Sequence, residues 1–474
     1  MLKSVVIITL LFTLADAVEN LPLSSALEIA KRQNLSLSMA RLEQKIKSSD
    51  VDIAQGYRYG KLDATISALR SNDAGNVFGF KLQSREASFG DFGFDQFMSS
   101  FGAAMMDSSG NLGDFENFAA NLSSAEAQAQ LLNTEPDALN YPGDRNHFDV
   151  KLSYQVPLYT AGKLGYYKNI AQNMHLLSSL DREQVALNIE QDVKKAYYDI
   201  SLLTSLLKDL AKMQTNISKL KDSVEQMQLE GYAKNTDILE VESKLSNVTR
   251  MLDQSRSYRE LSYQFLSFLL NERVDSIEFV DLDSAFKLLS KESILQNSTD
   301  IKKAKLGVEI HALMLKVAKS AYYRPEVGAF VEYGSSDDQF LNQFFDHDRY
   351  TAGLQLNYNL FNGGVDRAKV EQQRLALLKS QQQMQLAKEG IALKASKILT
   401  QISNLDLQIQ SLRKELELAE QIYNSYQERY KEGLSSINDT LIKQSLHLQK
   451  ILELKESQNR RQEAVLQLLK LAQE

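Results

Sequence analysis

The sequence predicts a mainly α-helical chain that also carries four transmembrane β-strands, with two long helical hairpins making up much of its length. Three observations predict it. Of five prolines, none falls within residues 158–324 or 326–474, so very long helices are permitted there. Two eleven-residue segments alternate between apolar and polar or small residues, the period of a strand with one greasy face. Landmarks of strand, helix and turn recur 202 residues apart, so strand, helix and turn are duplicated as a unit.

Taken in order, the chain opens with Met1-Leu2-Lys3, an apolar run from Val5 to Leu14 and the small-residue site Ala15-Asp16-Ala17. This reads as a secretory signal over residues 1–17. Residues 18–62 are expected to form N-terminal helices and 63–158 a β-hairpin. An insert at 71–147, rich in Gly, Phe, Asn and Ser, is expected as a long outer loop with a short helix near Ser123 to Leu132. Residues 159–271 form a helical hairpin and 272–326 a linker with helices. Residues 327–361 form the second β-hairpin and 362–474 the second helical hairpin.

In the first alternating segment Phe148, Val150, Leu152, Tyr154, Val156 and Leu158 are apolar; in the second, Tyr350, Ala352, Leu354, Leu356, Tyr358 and Leu360 are. Their partners are expected at about Asp63 to Arg70 and Val327 to Tyr333. Such a length suits a tilted strand crossing a bilayer. Beyond the signal there is no apolar run of helix-spanning length, so a membrane location demands a β-barrel. A closed barrel takes about eight strands or more, so four must be completed by other chains, and three copies would supply twelve.

From Gly162 to Gly231, and again from Gly364 to Gly433, the pattern is helical for roughly 69 residues, on the order of 100 Å at 1.5 Å per residue. Apolar residues step by three and four, as in Val193, Tyr197, Ile200, Leu203, Leu207 and Leu210, the spacing of coiled-coil packing. These stripes are core positions. Each long helix is followed by a second helical run, 236–270 and 437–472, that folds back on it.

Composition removes whole classes of function. Cysteine and tryptophan are absent, which closes disulfide and thiol chemistry. A net charge of −7 speaks against nucleic acid as a partner, because phosphate binding rests on Lys and Arg. No phosphate loop, zincin or hydrolase elbow is present, so no enzyme activity, cofactor or resident metal is expected. Asp346-His347-Asp348 reads as a solvated turn in an outer loop, with a metal site as the alternative.

The duplicated strand-to-helix motif is Val156-Pro157-Leu158-Tyr159 with Gly162, repeated as Leu360-Phe361-Asn362-Gly363-Gly364. The duplicated helix turn runs from Gly231 to Leu239 and from Gly433 to Leu441. In these residues the chain resembles the outer membrane efflux proteins of Gram-negative bacteria, the TolC family, over nearly all of its mature length except the insert. The resemblance implies a homotrimer, a twelve-stranded β-barrel in outer-membrane lipid joined to an α-helical barrel crossing the periplasm. It implies a passive duct for efflux or type I secretion, whose closed tip docks a periplasmic adaptor and an inner-membrane pump of RND or ABC type.

The family's tip contacts fall on Asp237, Tyr430 and Asp439. Tyr430 would donate to Asp237, and Asp439 repeated by threefold symmetry would narrow the bore with like charges. Both aspartates also suit plain capping of the helices that follow, and Gly231 and Gly433 suit ordinary helix ends with positive φ. Three positions depart from the family: its second acidic residue falls on Ile442, a tip arginine on Ser435, and the usual Asn-Pro is Asn34-Leu35. The rival reading from another class is a secreted coiled-coil structural protein without a pore, which leaves the alternating strands unexplained. A detergent requirement for solubility separates the two.

Overall fold

A computed structural model describes residues 18–106, 115–280 and 290–473; the signal expected at 1–17 lies outside them. The elements begin with α1 (Leu23–Gln33), α2 (Leu35–Gly56) and β1 (Lys61–Ser71), followed in the insert by α3 (Ala74–Gln83), α4 (Phe94–Ala104), α5 (Phe115–Ser123), α6 (Ala125–Leu132) and α7 (Asp137–Asn140). Then come β2 (Arg145–Tyr159), α8 (Lys163–Leu229), α9 (Asn235–Leu270), α10 (Lys291–Asn297) and α11 (Thr299–Tyr323). The chain ends with β3 (Glu326–Asp337), β4 (Asp348–Asn357), α12 (Val365–Lys431) and α13 (Ile437–Gln473). The two long helices α8 and α12 have the same length, 67 residues, and Gly165 and Gly390 sit inside them without a break.

The chain divides into two compact units. The first takes the residues up to Val51, Asn169–Leu315 and those from Glu371 on. Its core is a series of helix–helix seams. One gathers Leu210, Ile217, Val224, Val241, Tyr430 and Leu441, so both helical hairpins share it. Another packs Val193, Tyr197 and Ile200 against Leu21, Leu266 and Leu270. A third joins Ile294, Ile398, Ile402 and Leu468. Each fully buried side chain of this size contributes about 1.5–3 kcal/mol. The buried Tyr197 hydroxyl donates to the Leu21 carbonyl at 2.6 Å, so its burial leaves no polar group unmet.

Asn34, followed here by Leu35 where the resemblance expects proline, caps the helix that follows. Its Oδ1 accepts from the Leu37 N–H at 3.1 Å, capping α2, while its Nδ2 donates to the Leu269 carbonyl at 2.8 Å. Proline at the first helical position is favoured but not needed once the cap is in place.

The second unit comprises Asp52–Lys168 and Lys316–Val370. Its four strands form one antiparallel sheet in the order β1-β2-β3-β4. Register aligns like with like. Leu62, Tyr154, Val331 and Ala352 lie across one line of the sheet, and Ala64, Leu152, Tyr333 and Tyr350 across the next, all on one face. The opposite face carries Asp63, Ser153, Glu332 and Thr351 in one line. It is tied by ion pairs, Lys151 to Glu332 at 3.5 Å and Arg349 to Asp149. On the apolar face Leu62, Ile66, Tyr350, Leu354 and Leu356 are exposed.

Two expectations need correction. The insert at 71–147 is not a loop with one helix. Its described residues carry five short α-helices, beginning where Asp73 caps α3 by accepting from the Asn76 N–H at 3.0 Å, and phenylalanines stack along α4. The second alternating segment does not remain a strand to Leu360, because β4 ends at Asn357 opposite Glu326, where β3 begins. Alternation persists there without a ladder partner to sustain it. By contrast β2 continues to Tyr159 through a bulge at Pro157, a place where a residue lacking an N–H is tolerated.

Candidate functional site: the paired helix turns

The two turns between the long helices and their return helices are built alike. At the first, the Tyr232 N–H reaches back to the Met227 carbonyl at 2.7 Å and Gly231 has φ +82°. At the second, the Leu434 N–H reaches the Arg429 carbonyl at 2.7 Å and Gly433 has φ +72°. Both are helix ends of the Schellman type, which need a left-handed residue just past the last helical one. Glycine adopts that conformation without the steric cost of a side chain.

Asp237 and Asp439 each lie three residues past the capping position of the return helix. The Asp237 Oδ2 accepts from the Lys234 N–H at 2.9 Å. The Asp439 Oδ2 accepts from the Ser436 hydroxyl at 2.7 Å, and the same hydroxyl accepts from the Asp439 N–H at 3.0 Å. In one chain, then, both aspartates close helix starts, the capping alternative raised by the sequence, and their carboxylates also sit favourably at the positive helix end. Tyr430 is buried in the seam that both hairpins share. Burial, then the charge of Asp237, raise its pKa, so the phenol keeps its proton and faces a carboxylate's field.

The two departures from the family are accounted for locally. The Ser435 hydroxyl donates to the Tyr426 carbonyl at 3.2 Å, in the last turns of α12. Ile442 is exposed on α13. Sequence reading missed the basic groups here: Arg429 and Lys443 both approach the Tyr426 ring, at 5.6 and 5.4 Å from its centroid, and the Lys443 cation–π contact joins α13 to α12. A tyrosine four residues before Tyr430 was the available signal.

The strand-to-helix junctions also repeat. Gly162 and Gly364 have φ +84° and +82°, and each accepts the first helical bond, from Tyr166 and Ala368, at 3.0 Å. Gly363 (φ +68°) is matched in the first copy by Ala161 (φ +53°), which is buried. Pro157 marks the bulge near the end of β2. A residue not foreseen is Gly60, where a Cβ would lie 2.1 Å from the Gln155 carbonyl oxygen. No helix among the described residues is long and apolar enough to cross a membrane.

The outer membrane efflux protein family matches residues 291–472, the span of α10 to α13 with the second β-hairpin between them. That stretch is an outer membrane efflux protein domain. The fold of the whole chain agrees. It is similar to the outer membrane protein VceC of Vibrio cholerae, with 16% identity, a TM-score of 0.72, and 95% of this chain and 96% of that one covered. It is likewise similar to the open MtrE channel of Neisseria gonorrhoeae (15%, TM-score 0.72, 95% and 88% covered) and the CmeC channel of Campylobacter jejuni (13%, TM-score 0.71, 95% and 85% covered). No curated protein matches the chain in sequence. The matched family is one of outer-membrane efflux channels rather than enzymes, and the solved structures show the shared fold.

Proposed function

We propose that the chain is one protomer of a homotrimeric duct that passively conducts substrates from an inner-membrane pump and a periplasmic adaptor to the exterior, in tripartite efflux or type I secretion. The observation that carries this is the four-stranded sheet. Its first and last strands, β1 and β4, each pair on one side only, and one face is apolar and exposed across the strands. In lipid an unpaired edge leaves backbone groups with no partner at several kcal/mol each, so the sheet must close on further copies. Three copies give twelve strands, within the range in which membrane barrels close. Exposed Leu35, Met39, Leu42, Ile46 and Ile53 along α2 support helix seams between copies.

Within that reading the paired turns form the closed tip. Tyr430 and Asp237 hold neighbouring hairpins together, and Asp439, brought near the threefold axis, sets a negative constriction. The domain plan follows, with 63–158 and 327–361 as lipid-embedded hairpins and 159–271 and 362–474 as periplasmic ones. Catalysis and cofactors have no part, and energy comes from the pump. The deciding experiment is the oligomeric state in detergent together with planar-bilayer recording. Three chains per particle with ion conductance are expected, and a water-soluble monomer would overturn the proposal.

A further inference from the structure

Glu86, Asp337 and His347 come together from distant parts of the chain, with ligand atoms all within 4.8 Å of one another. Glu86 follows α3 in the insert, Asp337 ends β3, and His347 closes the loop before β4. The Asp337 and His347 side chains are 4% and 11% exposed, and His347 Nδ1 lies 3.1 Å from Asp337 Oδ2. A zinc-class ion with bonds of about 2.0–2.1 Å and tetrahedral angles separates its ligand atoms by roughly 3.3 Å. The Asp337–His347 pair is therefore already at a spacing that such an ion spans. The Glu86 side chain is 33% exposed and would have to draw in by about an ångström or two. Its Oε2 holds Arg145 and accepts from the Ser84 hydroxyl, which leaves the other oxygen as the ligand.

We propose that Glu86, Asp337 and His347 form a binding site for a divalent transition-metal cation of the zinc class, which fastens the insert to the β3–β4 loop. Two carboxylates with one imidazole suit zinc and its neighbours, whereas calcium and magnesium favour all-oxygen sites. The insert is acidic overall, with eleven acidic and three basic side chains in residues 71–147, a net −8 against −7 for the entire chain, even though one of the three, Arg145, pairs with Glu86. A field of that sign raises the local concentration of cations. The insert already touches this loop, since Arg85 donates to the Asp348 carbonyl at 2.6 Å. The ion would add a second tie between segments some 250 residues apart. The ligands differ from those suggested by Asp346-His347-Asp348, because Asp348 accepts from Tyr333 at 3.1 Å and the Asp346 side chain is not part of the cluster.

The test uses the full-length protein in detergent, stripped with a chelator and titrated calorimetrically with zinc chloride, then with calcium chloride. One zinc per chain is expected, with no saturable calcium binding. His347→Gln and Glu86→Gln should each weaken zinc at least tenfold, while Glu116→Gln, an acidic change elsewhere in the insert, should stay within twofold. X-ray absorption at the zinc edge should show a single imidazole among oxygen ligands. Absence of saturable zinc binding, binding that survives both ligand variants, or equal weakening by Glu116→Gln would overturn the site. Should His347→Gln fail to fold, the exposed Glu86→Gln decides.

Discussion

Leu152→Arg tests whether the apolar face of the sheet meets lipid. Leu152 lies midway along β2 (Arg145–Tyr159), between Ala64 and Tyr333 on neighbouring strands, and is 46% exposed. On a protein surface in water, a charge at a half-exposed site changes stability by about 0.5 kcal/mol at most. At the middle of a bilayer the same arginine costs about 2–4 kcal/mol, a factor of roughly 30 to 900 in the folding equilibrium at 1.36 kcal/mol per decade. Ser153→Arg is the internal control. It points to the opposite face, between Asp63 and Glu332, where opposite charges across strands contribute about 0.2–1 kcal/mol. The protein has no tryptophan, so folding into lipid vesicles across a urea series is best followed by the gel mobility of unheated samples. Leu152→Arg should shift the midpoint to markedly lower urea and Ser153→Arg should not. Equal behaviour of the two variants would refute the lipid-facing assignment.

Gly433→Ala should cost about 1 kcal/mol, because φ is +72° yet no atom lies within 4 Å of the added Cβ, leaving backbone strain alone. Gly60→Ala, whose Cβ would meet a carbonyl oxygen, should cost far more, and parallel thermal melts would rank them. Tyr430→Phe and Asp439→Ala should raise single-channel conductance if the tip acts as a gate. Asp439→Ala with unchanged conductance and about 0.5–2 kcal/mol lost stability would leave it as a cap alone. Burial lowers the pKa of His447 below the ordinary 6.5, outweighing the nearby carboxylates of Glu420 and Asp209. The unfolded chain therefore takes up a proton first as pH falls. Its contribution is complete above about pH 6.5 and declines below it, so the melting midpoint should drop on acidification and His447→Gln should flatten that drop.

The plan of the molecule was legible because it is written in local geometry. A strand's period, a helix's spacing, and a glycine at a helix end each follow from residues a few positions apart, so the 202-residue duplication could be read directly and the turn geometry at Gly231 and Gly433 repeats it. Local pattern also misled where pairing decides the outcome. Tyr358 to Leu360 alternate as a strand would, but β3 offers no partner beyond Glu326. The insert's composition resembled a loop, although capping by Asp73 and contacts among its phenylalanines are enough to order short helices.

The sequence by itself determined the repeat, the alternating strands and the long helices, since each is a rule about neighbours along the chain. Only the tertiary structure decided that β2 pairs with β3, that the Gln155 carbonyl requires glycine at position 60, and that Glu86 meets Asp337 and His347. Those outcomes join residues roughly 95 to 260 positions apart. Contact across such distances depends on how whole elements pack, a property that no periodicity within one element carries.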